Sequence, residues 1–163
     1  MKRMEITIRN IAASDNKVLA TIIRAALTEH NMAKPGTVFT DPTTDHLYEL
    51  YQVPRAAYFV AEANGQVLGG AGIGLLDTGD GLTCELQKMY LSPESRGLGL
   101  GKKLILKSLD FAKANGYTQC YLETSPELAQ AVKVYAHLGF RDLTGPLGNT
   151  GHFGCDQWMI RNL

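Results

Sequence analysis

A run of seven residues with three glycines and two cations is the part of this sequence most suited to chemistry. It lies between a predicted strand and a predicted helix and consists of Arg96, Gly97, Leu98, Gly99, Leu100, Gly101 and Lys102. Glycines at a helix entrance let unpaired backbone N–H groups converge, and the helix dipole adds positive potential. The two basic side chains would add charge at the same point. The segment therefore predicts a binding site for a diphosphate.

Two common nucleotide-binding motifs do not fit this spacing. A Walker A loop has Ser or Thr after its Gly-Lys pair, whereas Lys103 follows here, and Gly101 lies four rather than five residues after Gly97. A Rossmann fingerprint is G-x-G-x-x-G early in a parallel βαβ unit, whereas this loop is G-x-G-x-G behind a predicted antiparallel hairpin. A tight turn that binds no ligand is the structural alternative.

The loop resembles the pyrophosphate loop of the GNAT family of acetyl-CoA-dependent N-acetyltransferases. That loop follows Q/R-x-x-G-x-G/A, which Arg96, Gly99 and Gly101 match. The Y-x-x-x-G-F pattern that begins at Tyr135 also falls where the family places it, and KMYLSPESRGLGLGKKL is similar to bacterial members. One departure is Leu128, since many members carry Asn seven residues before the tyrosine.

The resemblance implies a binding mode for acetyl-CoA as cosubstrate. Backbone groups of Met89, Tyr90 and Leu91 would pair with the pantetheine arm as if it were an added strand. The two halves of the sheet would separate after the fourth strand to admit that arm. Backbone amides from Gly97 to Lys102 would hold the pyrophosphate.

Acetyl transfer to an alkylamine needs a base, because the ammonium has a pKa of about 10. Glu85 is the candidate base, acting through water. Strand alternation predicts Glu85 on the same side as Met89 and Leu91, and catalytic glutamates occupy similar strand positions in the family. The alternative is a carboxylate that faces solvent or pairs with Lys88 or Arg55.

The departing thiolate needs an acid. The resemblance gives this role to Tyr135, four residues before a glycine in the Y-x-x-x-G-F pattern. The alternative is a tyrosine that packs in the core with Val132 and Leu138.

Two irregular segments, 34–48 and 145–155, flank the mouth of the cleft in the implied fold and are expected to set acceptor specificity. The three candidates of the first segment could hold a cationic amine, and the three of the second offer hydrogen bonds to a carboxylate or amide. Ordinary loop solvation explains all of them equally well. The candidates are Asp41, Asp45, His46, Asn149, Thr150 and His152.

No set of His, Cys and carboxylate residues has the spacing of a metal site, so no metal is expected. Cys84, Cys120 and Cys155 form no C-x-x-C pair, which argues against a disulfide framework. A buried inert thiol is the favoured interpretation of Cys155, ahead of a nucleophile paired with His152.

The elements that would position these residues alternate in type. Alternation predicts a strand from Met4 to Arg9, and the next helix is predicted to start at an Ser14 N-cap. Further strands are predicted around Asn64-Gly65, which is a strong hairpin signal, and at 83–91. The order β-α-α-β-β-β-α-β-α-β-β predicts an α/β (α+β) fold, a mixed sheet of about seven strands flanked by helices. The resemblance implies that this is the GNAT fold.

The second helix of that order is predicted over 43–51, and the last strand over 153–160. The glycines at 69, 70, 72 and 74 are poor strand residues and suggest a bulge or the close approach of another backbone.

Length and charge limit the classes of function. A chain of 163 residues is the size of one domain, so 1–163 is predicted to be a single N-acetyltransferase domain. Sixteen basic and sixteen acidic residues leave no net charge, which argues against nucleic-acid binding. No apolar stretch approaches a membrane span or a secretory signal, so a cytoplasmic protein is expected. A homodimer through the last strands is possible.

The sequence thus predicts direct transfer of acetyl from acetyl-CoA to a primary amine of a small molecule, such as an amino acid or a polyamine, in a ternary complex. The alternatives are acetylation of a protein amine and a catalytically silent acyl-CoA-binding sensor on the same fold. A protein that binds ATP or a dinucleotide at the glycine loop is a further alternative.

Overall fold

A computed structural model describes residues 5–148, 150 and 154–163 of the chain. Seven strands form one sheet in the order β1-β2-β3-β4-β5-β7-β6. Neighbouring strands are antiparallel except β4 and β5, which are parallel. The strands are β1 Ile6–Asn10, β2 Ala57–Ala63, β3 Gln66–Leu75, β4 Thr83–Leu91, β5 Gln119–Thr124, β6 Arg141–Leu143 and β7 Gln157–Asn162. The mixed sheet predicted from the sequence is confirmed.

Helices cover both faces of the sheet. They are α1 Asn16–Glu29, α2 Leu47–Leu50, α3 Leu100–Ala114 and α4 Ala129–His137. Side chains of α3 and α4, such as Leu104 and Tyr135, pack with Leu86 of β4 in one buried cluster. Side chains of α1, such as Ile23, pack with Tyr58 of β2 in a second cluster. We call these the α3 face and the α1 face.

The hairpin between β2 and β3 is confirmed. Asn64 and Gly65 both have positive φ, at 51° and 79°, as a two-residue turn of this kind requires. Ala63 and Gln66 are the pair next to the turn, and β2 remains paired with β3 up to Ala57 and Ile73.

Three element boundaries differ from the predictions. Ser14 is not an N-cap: it lies inside a 3-10 turn, Ala13–Asp15, where the Ala12 N–H donates to Asp15 Oδ2 at 2.7 Å. The predicted second helix is a 3-10 turn, Pro42–Asp45, followed by the single turn of α2. The last strand starts at Gln157, and the predicted positions Met4 and Phe153 lie outside the described residues.

The glycines of β3 leave room for two tyrosine rings. A Cβ atom on Gly72 would lie 2.7 Å from ring atoms of both Tyr51 and Tyr58, and one on Gly70 would lie 2.4 Å from the Tyr58 ring. The two rings contact each other at 5.2 Å between centroids. An aromatic pair therefore occupies the space over Gly70 and Gly72, whereas the predicted approach of another backbone occurs at Gly69, where a Cβ atom would clash with the Tyr90 carbonyl oxygen. None of the helices within the described ranges is long and apolar enough to cross a membrane.

Gly72→Ala should lower the free energy of unfolding by about 1–3 kcal/mol, because the new methyl group forces both rings to move. Urea unfolding followed by circular dichroism measures this. Gly145→Ala is the matched control, since a Cβ atom there has no neighbour within 4 Å. Equal stability of the two variants would contradict the tight packing over Gly72.

Candidate active site

The sheet opens between its two parallel strands. Within the described residues, β4 and β5 are paired at three positions, the last being Glu85 with Tyr121. Beyond them β4 continues to Leu91, still paired with β3, while β5 continues to Thr124, paired with β7. One backbone edge of β4 therefore has no strand beside it from Leu86 onward. The separation after the fourth strand is as the sequence predicted.

A β-bulge in β4 lies beside this opening. Gly72 of β3 pairs with Gln87 and Gly70 pairs with Tyr90, so β4 contains one extra residue between these pairs. Lys88 takes the strained conformation, with φ of 51°.

The bulge corrects one prediction from alternation. Met89 and Leu91 pack against the α3 face together with Leu86, whereas Glu85 lines a pocket on the α1 face. Glu85 is therefore on the opposite side from Met89 and Leu91, because the extra residue reverses the alternation beyond Gln87.

The pocket at Glu85 has a volume of about 40 Å³, whereas one water molecule needs about 10–15 Å³ of such space. It mixes charged and apolar side chains from β4, β5, the end of α1 and the segment after it. They are Leu27, Met32, Thr37, Val38, Glu85, Leu86, Gln87, Lys88, Tyr90, Glu123, Thr124, Leu128 and Cys155. We call this the acceptor pocket.

Glu85 is a buried carboxylate held by a chain of hydrogen bonds. Gln87 Nε2 donates to Glu85 Oε1 at 2.6 Å, and the Tyr51 hydroxyl donates to Gln87 Oε1 at 2.7 Å. Burial raises the pKa of Glu85 to about 7, although the bond from Gln87 opposes the rise; the nearby Glu123 carboxylate adds to it. A carboxyl group with this pKa can accept a proton near neutral pH.

The alternative partners considered for Glu85 are occupied elsewhere. The Arg55 guanidinium lies over the Tyr117 ring at 4.0 Å and donates to the Asn115 carbonyl at 3.0 Å. The Lys88 ammonium lies 3.6 Å from Asp41 Oδ2. Glu85 is also not solvent-facing, since only 5% of the residue is exposed.

A second carboxylate, Glu123 of β5, lines the same pocket. The Tyr121 hydroxyl donates to its Oε2 at 2.8 Å, and the Thr150 hydroxyl donates to its Oε1. The Leu147 N–H in turn donates to the Tyr121 hydroxyl at 3.2 Å. Both oxygens of Glu123 therefore accept a hydrogen bond at the wall of the pocket.

Tyr135 lies on the other face of the sheet. It is buried in the cluster on the α3 face, with its ring 5.9 Å from that of Phe140. Burial raises the pKa of Tyr135, so the hydroxyl keeps its proton at neutral pH. Its hydroxyl has no hydrogen-bond partner in the described part of the chain. Glu85 and Tyr135 thus lie on opposite faces of the sheet.

The glycine loop opens α3 as predicted. Gly99 is the N-cap, in the left-handed conformation with φ of 69°, and it has no side chain to bond the first N–H groups of the helix. Gly97 also has positive φ, and a Cβ atom at either glycine would meet nothing within 4 Å. The Leu100 side chain is buried, so this residue offers its backbone to the loop.

The side chains around the loop differ in their contacts. Arg96 forms an ion pair with Glu29, the last residue of α1. Leu98 packs partly against the cluster on the α3 face. Lys102 is exposed and carries its charge at the first turn of α3.

Three buried hydroxyl groups fit a cofactor beside β4. Ser92 Oγ, Thr124 Oγ1 and Ser125 Oγ have no hydrogen-bond partner among the described residues. Ser92 and Ser125 directly follow β4 and β5, and Thr124 ends β5, where these two strands are no longer paired with each other. Buried polar groups normally have a hydrogen-bond partner. Together with the free backbone edge of β4 and the open space over Gly97 and Gly99, they suit a long polar arm that ends in a diphosphate.

The expected acceptor residues lie apart from this pocket. Asp45 pairs with Arg24 on the surface, at 2.6 Å. His46 lines a separate shallow depression with Pro42 and other residues of the second 3-10 turn. His152 and Asn149 lie outside the described residues. Two of the six reach the pocket indirectly: Asp41 pairs with Lys88 at 3.6 Å, and Thr150 donates to Glu123.

Cys155 lines the acceptor pocket and precedes β7. Burial raises the pKa of its thiol to about 12, which disfavours a thiolate nucleophile at neutral pH. Within the described residues, no group of three or more His, Cys, Asp and Glu side chains could hold a metal ion.

Sequence reasoning missed Tyr51, Gln87, Lys88 and Glu123 as parts of the site. A signal existed for Glu123, since an acidic residue ends a strand that is predicted to run beside the strand of Glu85. Lys88 could not be assigned to the pocket, because alternation places it on the other face and the bulge reverses this.

Comparison with known proteins agrees with this geometry. A model of the acetyltransferase (GNAT) family matches residues 24–140. The uncharacterized N-acetyltransferase YjgM of Escherichia coli strain K12 is 42% identical over 156 residues, covering 95% of this chain and 93% of that protein.

Solved structures show the same fold. An acetyltransferase of the GNAT family from Staphylococcus aureus Mu50 superposes with a TM-score of 0.86 at 23% identity, covering 98% of this chain and 99% of that one. The putative acetyltransferase yncA from Salmonella typhimurium, with its cofactor acetyl-CoA, gives 0.76 at 24% identity, covering 97% and 94%. Since the family model spans well over half of the residues, the chain belongs to the acetyltransferase (GNAT) family.

Proposed function

We propose that this GNAT-family enzyme transfers acetyl from acetyl-CoA directly to the primary amine of a small molecule in a ternary complex. Membership of the family makes the chain an N-acetyltransferase that uses acetyl-CoA. The acceptor class and the roles of individual residues are the proposal. The observation that carries it is the buried carboxyl group of Glu85 in a pocket beside the opening between β4 and β5.

The acetyl-CoA site would be formed by β4, the loop after it and the start of α3. Backbone groups of Met89, Tyr90 and Leu91 would bind the pantetheine arm along the free edge of β4. The N–H groups from Gly97 to Lys102 would hold the pyrophosphate, helped by the positive end of the α3 dipole. Bound acetyl-CoA supplies the acetyl group as a reactive thioester.

The acid and base roles follow from the two environments. Glu85 takes a proton from the acceptor ammonium, through water, because burial keeps its pKa near neutral pH. The Tyr135 hydroxyl keeps its proton and can donate it to the thiolate sulfur that leaves. The two groups stay separate because the sheet lies between them.

The acceptor pocket supports a small primary amine. Its carboxylates, Glu85 and Glu123, provide negative charge for an ammonium group, and its volume suits the reacting end of a small molecule. The pocket is lined by residues of both strands that border the opening. Acetylation of a protein amine is the alternative, and the lysine peptides in the panel described below test it.

Three further expectations stay predictions. All seven strands join one sheet, which supports a single catalytic domain over 1–163. β6 is an edge strand, where a second copy of the chain would pair in a homodimer. A cytoplasmic location is expected from the sequence alone.

Tyr135→Phe tests the proposed function. Turnover of the best amine should fall about 100-fold, the usual contribution of a general acid, while the dissociation constant of acetyl-CoA changes little. Release of free CoA thiol across a panel of small amines and lysine peptides measures turnover, and calorimetry measures binding. Unchanged turnover would remove Tyr135 from the mechanism. Binding without turnover on any amine would favour the silent sensor.

The pH profile tests Glu85. We expect kcat/KM to fall about tenfold per pH unit below pH 7, because protonated Glu85 cannot accept a proton, and to level off above it. Glu85→Gln should lower the rate and abolish this limb. Glu5→Gln, at an exposed carboxylate, should retain it. A limb near pH 7 that persists in Glu85→Gln would assign the base to another group.

Gly99→Val tests the loop as a pyrophosphate site. The added side chain meets no protein atom, so it would occupy the space over the loop and weaken acetyl-CoA binding by about 100-fold or more. Gly79→Val is the matched control, with positive φ, no neighbour within 4 Å and a position in the β3–β4 turn. Equal affinity of the two variants for acetyl-CoA in calorimetry would mean that the loop is only a turn.

A further inference from the structure

Lys88 enters the acceptor pocket because of the bulge in β4. Because of the extra residue, the consecutive residues Gln87 and Lys88 both line the pocket. In a regular strand consecutive side chains lie on opposite faces, so only one of the two would line it. The Tyr58 hydroxyl donates to the Lys88 carbonyl at 2.8 Å and holds this conformation. A non-glycine residue at φ of 51° costs energy, and such residues concentrate at functional sites.

The Lys88 ammonium is buried with a loose counterion. Its side chain is only 4% exposed, and its ion-pair partner, Asp41 Oδ2, lies 3.6 Å away. A charge-assisted N–H···O bond is normally about 2.7–2.9 Å long, so the distance between Lys88 and Asp41 is longer than that of a direct hydrogen bond. Burial lowers the pKa of Lys88, while Asp41 and Glu85 act to raise it. A second anion at the ammonium would compensate this burial.

The pocket therefore presents charges of both signs to a ligand. Glu85 and Glu123 lie on the two strands that border the opening, and Lys88 lies three residues along β4 from Glu85. Apolar side chains, among them Leu27 and Leu128, form the wall between these polar groups and α1. This arrangement matches a molecule that has an ammonium and a carboxylate group close together, with an apolar remainder.

We propose that the acceptor is an amino acid whose carboxylate binds the Lys88 ammonium while its amino group lies at Glu85 and Glu123. This assignment rests on the proposed acetyltransferase function and narrows it. Lys88 acts in specificity: it binds a part of the acceptor that does not react. A polyamine has no anionic group for Lys88 and is excluded as the preferred acceptor.

The test compares acceptors that differ only by the carboxylate. L-alanine is paired with ethylamine, L-leucine with 3-methylbutylamine, and 4-aminobutyrate with propylamine. Turnover is measured as CoA release, and binding is measured by calorimetry on the enzyme saturated with CoA. In the wild type, at least one amino acid should exceed its partner amine in kcat/KM and in affinity by about 10- to 100-fold, the range of one hydrogen bond to a charged group.

Lys88→Met should remove this preference, whereas Lys17→Met, at an exposed lysine of α1, should retain it. The ratio between amino acid and amine is the readout, since a purely structural role of the Lys88–Asp41 pair would weaken both ligands alike. The wild-type ratio does not depend on whether the variant folds.

Equal use of amino acids and amines by the wild type would overturn the proposal and leave the acetyltransferase function intact. A ratio unchanged in Lys88→Met, or no binding of any amino acid, would also overturn it. Carboxylate-dependent binding without CoA release would support the role of Lys88 and contradict the proposed catalysis.

Discussion

The early end of pairing between β4 and β5 is the constraint on which the site depends. Parallel strands normally continue side by side, but here β4 turns away after Glu85 and stays with β3, while β5 stays with β7. The opening lies between the two halves of one sheet, with Glu85 on one face and Tyr135 on the other. If β4 and β5 were paired along their whole length, the sheet would be closed between the face of Glu85 and the face of Tyr135.

The bulge and the aromatic pair on β3 maintain this arrangement together. Small residues at Gly70 and Gly72 admit the Tyr58 and Tyr51 rings. Tyr58 then donates to the Lys88 carbonyl, and Tyr51 donates to the Gln87 side chain that bonds Glu85. Glycines in one strand thereby fix the orientation of a carboxylate in the next. Each link is local packing or a hydrogen bond, and the outcome is a carboxyl group poised near neutral pH.

Much of this architecture could be predicted from the sequence. The Asn64-Gly65 hairpin and the glycine loop before α3 are encoded by short-range turn and capping preferences, and they appear where expected. The position of Glu85 in a buried site also follows from the strand. The faces of Met89 and Leu91 were not predicted correctly, because one extra residue in β4 reverses the alternation; the β3 glycines suggested a bulge but did not locate the extra residue in β4.

The acceptor side of the site was harder to predict for the same kind of reason. Asp45 and His46 lie in the segment that family resemblance implicates, but the 3-10 turn aims them at Arg24 and at the surface. Tyr51 and Glu123 reach the site only through tertiary packing, which propensity and spacing do not encode. The elements therefore follow from the sequence, while the membership of the pocket follows from how those elements meet.

The division of the opening between two sets of elements has an evolutionary consequence. The wall opposite β4 comes from the end of α1 and the residues just after it, such as Met32 and Val38, whereas the cofactor loop and α3 lie later in the chain. Substitutions at wall residues such as Met32 and Val38 can change which molecule fits the pocket without changing the sequence of the loop or of α3. A gene duplicate could thus acquire a new acceptor while inheriting its donor chemistry, so the two specificities are separately open to selection.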